Sequence, residues 1–355
     1  MSMGLPSINI AFSNAASTAV SRSNRGVVAL ILKDAAALGA HVLTAASQIP
    51  TALGTDNQDY IRRAFIGYVN PPRKVIVYVE PAAATDLVEG LAFLATQVFD
   101  YFAGPPAITA DECTAVKAWI KVQRALGAIP KAVLPDTAAD DEAIINFTPD
   151  GIKAGSETYA SAAYCSRIAG ILAGTPASIS CTFAPLPEVS DFTRLTKDQT
   201  DAAIGGGQLV FYYDGTQTKI ARGVNSLQTT SAAKGEAYKK IKIVETMDMI
   251  TSDIRTTAQD TYIGKFANTY ENKCLLITAI ADYFRSLEGD GILNPGSTVE
   301  IDVDAQEAWL KSQDIDTSNM TAAQIKAANT GDNVFLKATI SILDAIEDIT
   351  LAVTV

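Results

Sequence analysis

Residues 334–355 read VFLKATISILDAIEDITLAVTV. Val334, Leu336, Ala338, Ile340 and Ile342 alternate with Phe335, Lys337, Thr339 and Ser341, the period of two expected of a half-buried strand. After an acidic interruption at Asp344, Glu347 and Asp348 the alternation resumes. Ile349, Leu351, Val353 and Val355 fall on one side, and Thr350, Ala352 and Thr354 on the other. No Asn-Gly or Asp-Gly dipeptide folds the two runs into a tight hairpin. A strand without a ladder partner leaves N–H and C=O groups unpaired and recruits another edge. The stretch therefore predicts a strand that pairs away from its sequence neighbours.

The other end makes the same demand. In LPSINIAF (5–12), Leu5, Ile8, Ile10 and Phe12 are set off by Ser7, Asn9 and Ala11, and a polar stretch follows. Strand-patterned ends on polar tethers, at 13–24 and 329–333, predict β-addition into neighbouring copies, with the tethers as hinges.

Between the ends the pattern changes. GVVALIL (26–32) and VIVYV (75–79) are continuous apolar runs, as strands covered on both faces require. Further strands are expected at 41–44, 131–134 and 144–147. Helices are expected at 56–68, capped by Asp56, and at 85–102, 111–126 and 157–172, the second carrying Leu87, Leu91, Leu94, Val98 and Phe102 on one face. Strand and helix in this order predict an α/β layer with crossover connections. A short helix stops at Gly205, and a hairpin turns at Asp214-Gly215. From 223 the expectation becomes α+β: a strand at 238–245, helices at 248–266 and 272–287, a strand at 299–303, and short helices at 305–311 and 321–328. The domains expected are an N-terminal arm and tether (1–24), a layered α/β middle domain (25–222), a C-terminal α+β domain (223–333) and a C-terminal arm (334–355).

Composition narrows the function. A chain of 355 residues with 48% hydrophobic and 19% charged content can bury a full core. Its 28 basic and 39 acidic residues, net charge −11, argue against nucleic-acid binding, which needs clustered Lys and Arg on phosphates. Four dispersed cysteines, Cys113, Cys165, Cys181 and Cys274, form no CxxC pair and read as apolar thiols of a cytosolic product. The first residues lack a signal-peptide pattern, and no apolar run is long enough to cross a bilayer, so direct membrane insertion is not expected.

Convergent reactive groups are scarce. His41 is the single histidine and sits in a strand-like context, so a Ser–His or Cys–His base has one place to form. No GxSxG elbow or GxxxxGK[ST] loop occurs, and Gly205-Gly-Gly lacks the helix and Lys of a phosphate cradle. The carboxylates of Asp302, Asp304, Asp314 and Asp316 lack the Gly and distal Glu of a calcium loop. No catalytic residue, metal or cofactor is expected. The sharper feature is Lys239, Lys240 and Lys242, interleaved with Ile241 and Ile243 in the expected strand. It is read either as an edge guarded by lysines or as an acceptor whose charge meets Asp344, Glu347 and Asp348 of an arm.

Several longer words carry a resemblance: ARGVNSLQTT (221–230), KKIKIVETMDMITSDIR (239–255), YIGKFANTYENK (262–273) and LDAIEDI (343–349), with GLPSINIAF (4–12), RRAFIGYVNPPRKVIVYV (62–79) and ETYASAAYCSRIAGILAGTPASISCTF (157–183). In order and spacing they resemble contractile tail sheath proteins, especially the short sheaths of myophages and phage-tail-like bacteriocins of Gram-positive bacteria. The resemblance implies a helical homopolymer of stacked rings around a tail tube protein, joined by N- and C-terminal arms that enter a sheet in the C-terminal sheath domain of neighbours. It further implies baseplate and tail terminator partners, and contraction that drives the tube through a target envelope. Tube contact would fall around 248–265. Assembly would occur in the bacterial host cytoplasm, followed by release in a phage or bacteriocin particle. The family's middle domain is described as subtilisin-like, but no serine motif here supports protease activity. The rival reading is an α/β hydrolase or transferase with an unrecognised site built from Asp and Tyr, which would bring a deep polar pocket and a discrete oligomer. An exported surface-layer subunit would need a signal sequence.

Overall fold

The computed structural model describes Val20, residues 25–232 and residues 234–354. Two compact units separate: a larger one that runs to Met249 and takes in the segment from Asp344 onward, and a smaller one, Ile250–Leu343.

The larger unit follows the apolar runs. Its chain forms β1 (Val27–Asp34), β2 (Gly39–Leu43), α1 (Thr55–Ile66), β3 (Lys74–Pro81), α2 (Val88–Leu94), β4 (Tyr101–Ala103), α3 (Ala110–Ala125), β5 (Lys131–Pro135) and β6 (Ile144–Phe147). Then come β7 (Ile152–Ala154), β8 (Glu157–Tyr159), α4 (Ser161–Ala173), β9 (Val189–Asp191), α5 (Lys197–Gly205), β10 (Gln208–Leu209), and a hairpin of β11 (Phe211–Tyr213) and β12 (Thr218–Ile220). Seven strands make one sheet in the order β10-β6-β5-β4-β1-β3-β2. All pairings are parallel except that of β2, which runs antiparallel to β3 at the edge.

The continuous apolar runs arise because helices cover both sheet faces. Val28, Leu30 and Leu32 of β1 pack with Tyr60, Ile61 and Ile168 of α1 and α4, whereas Ala29 and Ile31 pack with Leu91, Val116 and Ile120 of α2 and α3. Helices α1 and α4 come very close: a Cβ added at Gly170 would lie 2.1 Å from Ala64 O. Only glycine permits that approach.

The smaller unit is α+β. Helix α6 (Ile241–Thr257) begins in the larger unit, and its residues from Ile250 belong to the smaller one. A single π turn, Ala258–Tyr262, follows, then α7 (Tyr270–Gly289), β13 (Thr298–Ile301), α8 (Val303–Ser312), α9 (Ala322–Ala327) and β14 (Leu336–Thr339). Ile250, Ile280, Phe284, Leu287, Leu293, Ile301 and Leu310 are buried. Side-chain caps at Thr269, Asp302 and Thr321 start α7, α8 and α9. β13 and β14 pair antiparallel, from Thr298 opposite Thr339 to Ile301 opposite Leu336.

Several expectations are corrected. Gly54, not Asp56, is the N-cap of α1. The helix expected at 85–102 ends at Leu94, because Tyr101 and Phe102 enter the sheet as β4 between β1 and β5. Residues 157–159 are a strand, and α4 begins at Ser161. By their contacts residues 223–249 group with the larger unit, with Ser226 N donating to Ile144 O at 2.9 Å. Residues 334–343 belong to the smaller unit, where β14 pairs with β13. Residues 329–333 form a tied turn, not a loose tether: Thr330 is fully buried and its Oγ1 donates to Asn333 O at 2.5 Å.

Candidate assembly surfaces

The expected strand over 238–245 does not exist. Glu236–Lys239 is a 3-10 turn, and Ile241 opens α6, so Lys239, Lys240, Lys242, Ile241 and Ile243 cannot act as an acceptor strand. The reason lies in what the alternation concealed. Ile241, Val244 and Asp248 recur at helical spacing and are all buried, and Lys242, which an edge strand would expose, is itself buried. Burial pulls the Lys242 amine below its ordinary pKa.

Helix α6 is held instead by a buried ion-pair network. Asp248 accepts from Arg124 Nη1 and Nη2, each at 3.1 Å, and from Lys131 Nζ at 2.9 Å. One turn earlier, Glu245 pairs with Arg25 and with Lys131 at 3.1 Å, and it accepts from Tyr101 OH at 2.8 Å. Burial works to raise the Asp248 carboxyl, but Lys131 and Arg124 outweigh it and hold the group below the usual carboxylate range.

The acidic word at 344–348 meets its charge within the chain. Lys240 Nζ pairs with Asp344 and lies 3.5 Å from Glu347 Oε2. The Glu347 side chain is only 7% exposed. It accepts from Ser180 Oγ at 3.1 Å, Thr182 Oγ1 at 2.5 Å and Arg222 Nε at 3.1 Å. Asp348 takes Arg222 Nη2 at 2.5 Å. Lys239 pairs elsewhere, with Glu236, and Lys242 adds its charge to the field around Asp344 and Glu347 from its buried place in α6. The sequence reading missed Arg222, Ser180 and Thr182, which lie more than 120 residues from their partner and carry no local signal.

Beyond this root the chain is bare. Ile349, Leu351 and Val353 are 83%, 80% and 73% exposed, and residues 343–354 form no strand. The other expected arm residues, Ile8, Ile10 and Phe12, lie outside the described residues. In the smaller unit, β13 and β14 form a two-stranded sheet whose outer edges have no ladder partner among the described residues, apart from one bridge, Leu293 to Ile342, beyond the end of β14. Among the described residues no group of three or more His, Cys, Asp or Glu is placed to hold a metal ion, and no helix is long and apolar enough to cross a membrane.

Comparison with known proteins gives concordant results. Residues 233–355 match the phage tail sheath C-terminal domain. A tail sheath protein of a Clostridium phage is 38% identical over 358 aligned residues, 99% of each chain. A protein of the PBSX phage-like element of Bacillus subtilis is 30% identical over 48% of this chain and 37% of its own length. Among solved structures, the contracted helical sheath of the anti-feeding prophage superposes with a TM-score of 0.73 at 16% identity, covering 99% of both chains. A sheath tail protein from Desulfitobacterium hafniense gives 0.69 at 16% identity, over 85% of this chain and 93% of its own.

Proposed function

The chain belongs to the phage tail sheath family and is a structural subunit of a contractile sheath, not an enzyme; from that premise we propose that its C-terminal arm joins subunits by strand exchange. The observation that carries the proposal is the pairing deficit at two places. Ile349, Leu351 and Val353 keep strand alternation yet stand exposed, and β13–β14 offers sheet edges that, apart from the Leu293–Ile342 bridge, have no ladder partner among the described residues. An extended segment and an open edge are the two halves of β-augmentation. The acceptor is thus β13–β14 rather than the Lys239–Ile243 stretch. Residues 5–12 are proposed as a second arm on their sequence pattern alone.

Each ladder hydrogen bond contributes about 0.5–1.5 kcal/mol net. For an arm of roughly five residues that sum does not exceed the ordering cost of about 1–2 kcal/mol per residue, so the ladder alone about breaks even. Side chains must supply much of the rest, and three exposed aliphatic groups are available to be buried.

In this reading the subunits stack as a helical homopolymer around a tail tube, between a baseplate and a tail terminator. Assembly takes place in the bacterial host cytoplasm, and the sheath leaves as part of a phage or bacteriocin particle. On a release signal the bodies rearrange while the arms keep them joined, driving the tube into a target envelope. The contracted relatives support that last step by fold alone. The test is deletion of residues 349–355. The deleted protein should stay folded, as judged by an unchanged circular dichroism spectrum, and should not form cylinders by negative-stain microscopy. Long cylinders from it would refute arm exchange.

A further inference from the structure

The C-terminal segment leaves the body of the larger unit beside a groove. The groove holds about 380 Å³, its apolar walls are Phe183, Leu195, Ile204 and Tyr212, and Glu347 and Asp348 form part of its rim. That is within the range of sites that take up small ligands, roughly 300–1,000 Å³. Phe183, Leu195 and Tyr212 are exposed, and the Phe183 and Tyr212 rings lie 5.9 Å apart. Phe183 is held there against its backbone preference. Its φ is +58°, in the left-handed region that bulky side chains rarely adopt, and its N–H, donated to Ile220 O at 2.8 Å, fixes that turn.

The segment that meets the groove has a direction. From Ala345 to Asp348 its residues alternate: Ala345 and Glu347 are half-buried, whereas Ile346 and Asp348 are exposed. Glu347 points into the body, where Ser180, Thr182 and Arg222 hold it. A period of two carried onward puts Ile349, Leu351 and Val353 on the side of Glu347, and Thr350 and Ala352 outside with Asp348. Yet the three aliphatic side chains are exposed, so from Ile349 onward the segment stands off the face toward which its own alternation directs it.

Charge agrees with an apolar occupant. Arg222 is taken by Glu347 and Asp348, and Lys197 at the groove edge by Asp201, so the rim presents paired charge in place of a clamp for an ion. Residues 349–353 carry no charge. Joined to the rim at Asp348, they meet the groove at an effective concentration on the order of millimolar.

We propose that in the unassembled subunit this groove seats the chain's own Ile349, Leu351 and Val353, as a strap that closes over Phe183 and Tyr212. The same aliphatic face then serves twice, on its own body before assembly and on another copy afterwards. A closed strap withholds the segment from neighbours and lowers the competent fraction of free subunits, so polymerisation needs more protein than an open segment would require. That consequence rests on the arm-exchange reading, whereas the seat in the groove does not.

The test uses full-length protein with Cys274 replaced by Ser, carrying Tyr212→Cys and Leu351→Cys, kept dilute and mildly oxidised. The remaining cysteines, Cys113, Cys165 and Cys181, are buried. A disulfide closed within one chain is expected, at a rate independent of protein concentration, and neither single-cysteine control should form it. A ladder of cross-linked oligomers in its place would make the occupant another copy's segment and overturn the strap. No disulfide at all would overturn the groove. Leu195→Asp gives an independent reading, because it charges an exposed wall and replaces none of the root's partners. With its circular dichroism spectrum unchanged, the variant should form cylinders at a roughly tenfold lower protein concentration, since the strap no longer closes. An unchanged or raised threshold would refute the withholding role. Cylinders that form after deletion of residues 349–355 would bring down arm exchange alone, because the disulfide is read before any assembly.

Discussion

Arg222 Nε lies 3.1 Å from Glu347 Oε2, joining the end of the β11–β12 hairpin to a residue 125 positions later. With Ser180, Thr182 and Lys240 on the same carboxylate, the root of the C-terminal segment is fixed to the larger unit while its tip stays exposed. A fixed root limits the directions in which the tip can search, which lowers the entropy lost when the tip pairs. Glu347→Ala should leave the larger unit folded but release the root, costing about 1.5–3 kcal/mol for a charge-assisted cluster. Hydrogen exchange at the Ala345 amide, which donates to Asp344 Oδ1 at 2.8 Å, reads the release directly. Unchanged protection in the variant would show that the root is held by other means.

The three lysines that look alike in sequence should behave differently. Lys240→Glu sets like charges against Asp344 and Glu347 and should weaken cylinder formation, most strongly at low salt. Lys239→Glu removes a solvent-screened pair with Glu236 and an attraction to Asp140 and should change stability by about 1 kcal/mol or less. Lys242→Glu replaces a buried residue of α6 and should lower the unfolding temperature whatever happens to assembly. Equal effects from all three on polymer yield, measured by sedimentation at two salt concentrations, would contradict this ordering.

The contrast shows what the sequence could reveal. Apolar runs such as 27–32 and 75–79 disclose the central sheet because burial on both faces leaves no other composition possible. Capping boxes at Thr196 and Thr321 are written in local residues and mark the starts of α5 and α9, whereas the box at Thr109 lies two residues before the helix start expected at 111. The stretch at 238–245 misled because Lys-Ile-Lys-Ile imitates strand alternation over too few residues to expose the helical period. The sequence offers Lys239, Lys240 and Lys242 alike as partners for the acid at 344–348, or as guards of an edge, and it gives no hint of Arg222, Ser180 and Thr182. A pairing across more than a hundred residues leaves no trace in either local pattern.

Gly170→Ala tests the packing that supports the larger unit. The new methyl would meet Ala64 O at 2.1 Å, so α1 or α4 must shift in a core that is already close-packed. Helix propensity favours alanine by about 0.8–1 kcal/mol, yet forcing the helices apart costs about 1–3 kcal/mol or more, and the second effect should win. The expected result is a lower urea midpoint. A raised midpoint would mean that the helices separate freely.

Acid should act at two named carboxylates. Burial works to raise Asp344, but Lys240 and the Ala345 amide outweigh it and hold the group below its ordinary value of 3.8. Asp248 is depressed in the same way by Lys131 and Arg124 against stronger burial. A carboxyl whose folded pKa is depressed contributes stability that is complete above its unfolded pKa and fades as pH falls through the folded value. Both contributions should therefore be constant from about pH 5 upward and decline below about pH 4. Lys240 is shifted the other way, because Asp344 and Glu347 overcome its desolvation. Its contribution is complete below the ordinary lysine pKa and is lost only as pH rises through a higher one. The decisive comparison is between the native chain and Asp344→Asn, following Ala345 amide protection from pH 3 to pH 8. The difference between them should be flat at neutral pH and close as the native Asp344 takes up its proton, because the protonated side chain then resembles the amide. A difference that persists unchanged to pH 3 would show that the Asp344 charge does not hold the root.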